Sequence, residues 1–294
     1  MIVDTTLEPQ EIADAVWSAL AEDLGTGDVT SLAVIDSDSK SVARLVARET
    51  MVVAGLAFAR AAFLRLDPAI QIVNCMADAS VAIVGQDLLI IRGSTRAILS
   101  AERVALNFVQ HLSGIATATQ DYVQAVTGTR AKILDTRKTT PGWRNFEKYA
   151  VLCGGGKNHR RKLHDMVLIK DNHLAALGDV SPNAIESAVL RSRSAYPNLR
   201  VEVEADNLEQ VIQAVAARAD IVLLDNMTVD QLREAVEFVD DRILTEASGG
   251  VNLSTVKGIA ATGVDYISVG AITHSARSVD IGLDFDYPSI GNRP

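Results

Sequence analysis

The chain holds only two cysteines, Cys75 and Cys153, in 294 residues. So few thiols exclude a disulfide framework and suit a reducing compartment. No Cys-x-x-Cys pair occurs. No apolar run approaches the ~20 residues that a membrane-spanning helix needs, so no membrane span is expected. An excess of positive charge is also missing. The formal net charge is -9, which argues against a nucleic-acid or membrane-surface partner, since both want a basic face. The opening MIVDTTLEPQ brings acids early and no basic region, unlike a signal peptide. The expected location is the cytoplasm.

What is present is a core-forming chain. Hydrophobic residues make up 48%, ample for one large domain or two modest ones. Against the acidic background, residues 137–173 carry nine Lys or Arg and three acids, leaving -15 for the remainder, and three of the five histidines fall in the same span. Cations concentrated this way suit a small, strongly anionic ligand.

The second half alternates short Val, Ile and Leu runs with helical patterns. The strand candidates are AKILD (131–135), MVLIK (166–170), RVEVE (200–204), DIVLLD (220–225), ILTEAS (243–248) and VDYISVG (264–270). Continuous apolar runs suit parallel strands covered on both faces. Asp206 with Glu209 and Thr228 with Gln231 read as capping boxes, and Ser181-Pro182 as a helix start. Strand ends recur 21 to 23 residues apart, at Glu204, Asp225, Ser248 and Gly270, the length of a βα unit. Six strands fall short of an eight-unit barrel; a seventh is placed near YAVLC (149–153). The first half reads as an α+β layer: a helix over 9–24, the turn-rich GTGDVTS, a strand near 42–48, a helix near 54–66, strands near 70–76 and 87–92, and a long helical stretch over 95–127. The domains expected are 1–112, with the tail 275–294 packing back on it, and 113–274.

In a βα barrel, chemistry sits at the C-terminal ends of the strands. Those ends carry Asp135 to Lys138, Lys170, Glu204, Asp225, Ser248-Gly249-Gly250 and Gly270. Barrel strands have no structural need to finish in charge, so this register points to function. The glycines after the last two strands offer bare N–H groups for a phosphate. Glu204 and Asp225 fit either salt bridges with the cations or a site for Mg2+ or sugar hydroxyls. Arg137 and Arg160 suit carboxylates or phosphates through forked donors, with His159 beside them. Arg161, Lys162 and His164 read equally well as solvated surface. GGGK (154–157) fails as a P-loop, because Val151 stands at the first glycine position and Asn158 follows the lysine. Cys153, His159 and His164 fail as a zinc set for want of a fourth ligand.

The stretches ILDTRKTTPGWRNFEKYAV, GGGKNHRRKLHDMVLIKDNH, VEVEAD, LLDN, EASGGV and SVGAITHS, with EDLGTGDVTS and AERVALNFVQHLSGIAT upstream, resemble the quinolinate phosphoribosyltransferase family over nearly the whole chain. Lys162 and Trp143 depart from its pattern. The resemblance implies an α/β fold: an N-terminal α+β open sandwich domain plus an incomplete, about seven-stranded βα barrel. It implies a Mg2+-dependent enzyme of de novo NAD biosynthesis. Quinolinate and phosphoribosyl pyrophosphate (PRPP) would give nicotinate mononucleotide, CO2 and pyrophosphate. It implies a homodimer or higher oligomer in which Arg103 of one subunit completes the partner's site. Quinolinate would be held by Arg103, Thr136, Arg137, Lys138, His159, Arg160 and Lys170. Ser248, Gly249, Gly250, Gly270 and Ala271 would hold the PRPP phosphate, and Glu204 and Asp225 its ribose and the metal, directly or through water. The catalytic set is Lys138, Lys170, Glu204 and Asp225.

Three other readings compete. One is a paralogue using PRPP on another acid, such as nicotinate or the substrate of a molybdenum-transport-associated relative. One is a Schiff-base aldolase through Lys170. One is a non-catalytic phosphate-sugar sensor.

Overall fold

The computed structural model describes residues 6–286. In chain order the elements are α1 (Pro9–Leu24), α2 (Val29–Val34), β1 (Lys40–Ala47), β2 (Met51–Val52), α3 (Leu56–Leu66), β3 (Gln71–Cys75), β4 (Val81–Ala82), β5 (Asp87–Ser94), α4 (Thr95–Ala125), β6 (Lys132–Leu134), α5 (Arg144–Cys153), β7 (Val167–Ile169), α6 (Asp171–Leu177), α7 (Ala184–Ala195), β8 (Val201–Ala205), α8 (Leu208–Ala216), β9 (Ile221–Asp225), α9 (Val229–Val239), β10 (Leu244–Ser248), α10 (Val256–Ala260), β11 (Tyr266–Ser268), α11 (Ala271–His274) and β12 (Ile281–Phe285). Contacts divide the chain into two compact units. Among the described residues, one gathers 6–118, 145–155 and 276–286; the other gathers 119–144 and 156–275.

The first unit is built on a four-stranded antiparallel sheet in the order β12-β1-β5-β3. Strand β12 pairs with β1 from Ala43↔Phe285 to Ala47↔Ile281, so the described part of the tail is a stave of this sheet. Its core is aliphatic, with Leu45, Leu89 and Ile91 buried. It is keyed by Phe58 of α3, which stacks on Phe108 of α4 at 4.7 Å and meets Phe146 of α5 edge-on at 4.9 Å. The turn-rich GTGDVTS stretch runs into α2, because Asp28 caps it by accepting from the Ser31 N–H at 3.0 Å.

The second unit is a parallel sheet of six strands in the order β6-β11-β10-β9-β8-β7. Lys157 extends the β6 edge by a single parallel bridge to Leu134. The ring is therefore six strands and a one-residue bridge. The seventh strand expected at 149–153 is instead part of α5. Its buried apolar residues, Phe146, Ala150 and Val151, fall at helical spacing, and Glu147 on the same face is held 3.2 Å from His111 Nε2. Two helix starts are also corrected. Asn207, not Asp206, caps α8, and Asn183 caps α7 beyond Ser181-Pro182. The Thr228–Gln231 box forms at α9.

Helix α4 passes close to the backbone at 277–278, and Gly114 makes this possible. A Cβ there would lie 2.0 Å from the Arg277 carbonyl oxygen and 3.2 Å from Ser278 Cα. Backbone cannot yield as a side-chain tip can, so overpacking here is costly. Gly114→Ala is expected to destabilise the protein by about 1–3 kcal/mol, read as a lowered midpoint in thermal or denaturant unfolding.

Candidate active site

Each parallel strand is short and covered outside by helices, so alternate residues split between two fates. On β8, Val201, Val203 and Ala205 are buried on the helix side, while Glu202 and Glu204 alternate with them. The same period places Leu223 and Asp225 of β9, and Glu246 and Ser248 of β10, on the inner face. The ladder aligns Glu204 with Leu223, Leu223 with Glu246, and Asp225 with Ser248.

These inward positions and the loops beyond them enclose a cavity of about 530 Å3. Thr136, Arg137, Lys138, His159, Arg160, Lys170, Glu204, Asp225, Ser248, Gly249 and Gly250 all line it. Gly270 and Ala271 are not in its lining. Gly270 lies just behind, where an added Cβ would sit 3.2 Å from Lys138 Cδ and 3.1 Å from His274 Nε2. The adjoining His274 was missed by reading strand ends alone. Arg103 is exposed on α4 and does not line this cavity. Lys162 and His164 are exposed and outside it.

The cavity's charge is only partly compensated from within. Arg137 and Arg160 each keep a buried Nε without a hydrogen-bond partner. Burial first, and then the neighbouring Arg137 guanidinium, hold Arg160 below its ordinary pKa. Two like cations with unspent donors form a receptor for an anion. Lys170 Nζ is paired with Glu204 Oε2. Asp225 Oδ2 accepts from Asn226 Nδ2 at 2.6 Å. Asn226 takes a left-handed φ of 54°, donates its N–H to the Ser248 carbonyl at 2.9 Å and fills the space beside Gly249. A Cβ on Gly249 would fall 2.1 Å from Asn226 Oδ1, at a φ of +94°. Glycine is therefore required at 249 by both backbone and space.

Beneath the cavity lie Asp135, which the strand ends had marked, and two glutamates, Glu202 and Glu246, which they had not. Asp135 is fully buried and structural: its oxygens accept from Asn158 Nδ2 and from the His159 N–H, each at 2.8 Å. His159 Nε2 points inward, 3.0 Å from Glu202 Oε2 and 3.6 Å from Glu246 Oε2. Both glutamates are almost wholly buried. Burial pushes the Glu202 carboxyl up to about 7 and Glu246 to about 8; the neighbouring Glu202 charge also raises Glu246, and His159 lowers it. Period-two alternation was the available signal: Glu202 stands two residues before Glu204, and Glu246 two before Ser248.

A carboxyl raised in the folded state keeps a proton that the unfolded chain releases. Folding stability then falls as pH climbs from the ordinary 4.5 toward about 8. Glu246→Gln removes this titration. Its melting temperature is expected to rise relative to wild type between pH 5 and 8, by about 2–4 °C for each kcal/mol removed. Melting curves across that range check it.

Comparison with known proteins is consistent along the chain. The model for the quinolinate phosphoribosyl transferase N-terminal domain matches residues 28–113, and that for the C-terminal domain matches 115–284. A nicotinate-nucleotide pyrophosphorylase (carboxylating) of Mycobacterium leprae is 45% identical over 280 residues, covering 92% of this chain and 96% of the relative. A probable enzyme of the same name from Bacillus subtilis is 41% identical over 263 residues, covering 90% and 89%. The structure of the nicotinate-nucleotide pyrophosphorylase from Francisella tularensis superposes with a TM-score of 0.90 at 39% identity, over 96% of this chain and 99% of that one. With both compact halves matched by one family and with relatives this similar along most of their length, the chain belongs to the quinolinate phosphoribosyl transferase family.

Proposed function

We infer that the barrel cavity joins quinolinate to PRPP, releasing pyrophosphate and CO2 and leaving nicotinate mononucleotide, as the names of the family and its relatives indicate. One observation carries this reading. Arg137, Lys138, His159, Arg160 and Lys170 converge on the same hollow as Glu204, Asp225 and the Ser248–Gly250 loop. A pyridine with two adjacent carboxylates and a polyphosphorylated sugar together require such a density of donors.

The residues act mainly by placement. Arg137 and Arg160, with donors unspent, hold the two carboxylates and set the ring nitrogen facing the ribose. The Ser248–Gly250 backbone, pinned by Asn226, takes the 5′-phosphate. The nitrogen lone pair forms the new bond to the anomeric carbon as the bond to pyrophosphate breaks. Lys138 and Lys170 stabilise charge on the departing group. The bond from C2 to its carboxylate then breaks, CO2 leaves, and the electron pair stays on C2 beside the cationic nitrogen until a proton arrives. No covalent enzyme intermediate is involved, so Lys170 needs no Schiff base.

Glu204 and Asp225 present hard oxygen donors from adjacent strands to one cavity, a set that fits Mg2+. When bound, the ion would supply charge to the pyrophosphate oxygens. The reading extends to a homodimer in which Arg103 of the partner subunit completes the site; its exposure on α4 supports the extension. Two free thiols support a reducing, cytoplasmic setting, and among the described residues no helix is long and apolar enough to cross a membrane.

Quinolinate and PRPP supplied together should yield CO2 and nicotinate mononucleotide in equal amounts, and nicotinate in place of quinolinate should not; the reverse preference would move the protein to a paralogous activity. Arg137→Ala removes charge-assisted bonds of about 1.5–3 kcal/mol, so KM for quinolinate should rise about 10- to 150-fold. An unchanged KM would count against the assignment. Chelation should abolish turnover, and Asp225→Asn should raise the Mg2+ concentration needed for half-maximal rate, measured by titrating the metal at fixed PRPP.

A further inference from the structure

We propose that Glu202 is a positioning residue for quinolinate, fixing the His159 ring from inside the barrel, with Glu246 as the second acid of the set. The proposal rests on the reading of the cavity as the quinolinate site.

His159 stands in a wall between two spaces. On one side is the cavity just described. On the other is a second cavity of about 330 Å3, reached by Leu134, Met166, Leu199, Ile221 and Tyr266, which His159, Arg160 and Glu246 also line. The wall is loop, since residues 158–166 bridge from the Lys157 edge to β7 rather than forming a strand. The Asp135 carboxylate anchors the His159 backbone at 2.8 Å. With room on both sides, packing alone does not decide where the ring points.

Glu202 decides it. Its Oε2 lies 3.0 Å from His159 Nε2, within hydrogen-bond distance. Glu202 is set by the β8 ladder, aligned with Leu168 on one side and Ile221 on the other. Glu246 Oε2, at 3.6 Å, closes the set from β10. The inner nitrogen is thus held from rigid strands, and His159 lines the cavity together with Arg137 and Arg160.

Three variants separate positioning from stability. Glu202→Met keeps volume and removes the acceptor; KM for quinolinate should rise about tenfold, while KM for PRPP stays within about twofold. Glu202→Gln retains an acceptor at the same reach and should restore most of the quinolinate affinity. Glu202→Asp retracts the acceptor and should fall between the two, which keeps the test open if the methionine variant does not fold. In a His159→Ala background, Glu202→Met should add nothing further to the quinolinate KM, since Glu202 acts through that ring. Equal rises in both KM values, lowered melting temperature with unchanged KM, or full additivity with His159→Ala each overturn the proposal. So does a stoichiometric divalent metal that metal analysis finds in wild type and not in Glu246→Gln, because the three groups lie close enough to share an ion. Wild-type protein that makes no nicotinate mononucleotide sinks the functional reading itself, whereas active wild type with silent Glu202 variants sinks only this inference.

Discussion

The arrangement depends on one electrostatic constraint: cationic side chains held near each other inside a sheet, without enough anions of their own. The Arg137 guanidinium repels Arg160, and burial weakens the solvation of Arg160. Such a state persists only because the β ladder and the buried Asp135 fix the backbone that carries them. The stability of the six-strand sheet is what keeps unspent donors in place for an incoming anion, and preorganised donors of this kind need no rearrangement at the moment of reaction.

The interior acids complete this scheme. Glu204 neutralises Lys170, Asp225 is held by Asn226, and Glu202 with Glu246 lies below His159. Carboxyls and cations are layered along the strands by the two-residue alternation of the pleat. One strand, β8, therefore contributes to two levels, with Glu204 at the cavity and Glu202 under it. The glycine loop after β10 is joined to Asp225 at the end of β9 through Asn226, so loop and acid share one scaffold.

Much of this was legible in the residues. Short apolar runs marked all six parallel strands because those strands are covered on both faces. Charges at their ends marked the cavity because aliphatic staves have no reason to end that way. Other features were hidden for identifiable reasons. YAVLC is apolar enough for a strand, yet its neighbours Phe146 and Ala150 give it a helical face. Asp206 and Asn207 are both cap formers, and only the local backbone shows that Asn207 takes the role. Glu202 and Glu246 escaped because a buried glutamate inside a strand reads as misplaced until its partner on another strand is known. His274 escaped because it ends the short helix α11 rather than a strand, meeting Gly270 one turn back.

The ring of strands does not close. Between Lys157 and β7 the wall is irregular chain, and that chain carries His159 and Arg160. Exchanges of side chain along this seam leave the ladder hydrogen bonds of the other staves intact. The stretch of wall that carries His159 and Arg160 is thereby separated from the ladder that keeps the protein folded, and a scaffold divided in this way lets descendants alter the lining without first surrendering their architecture.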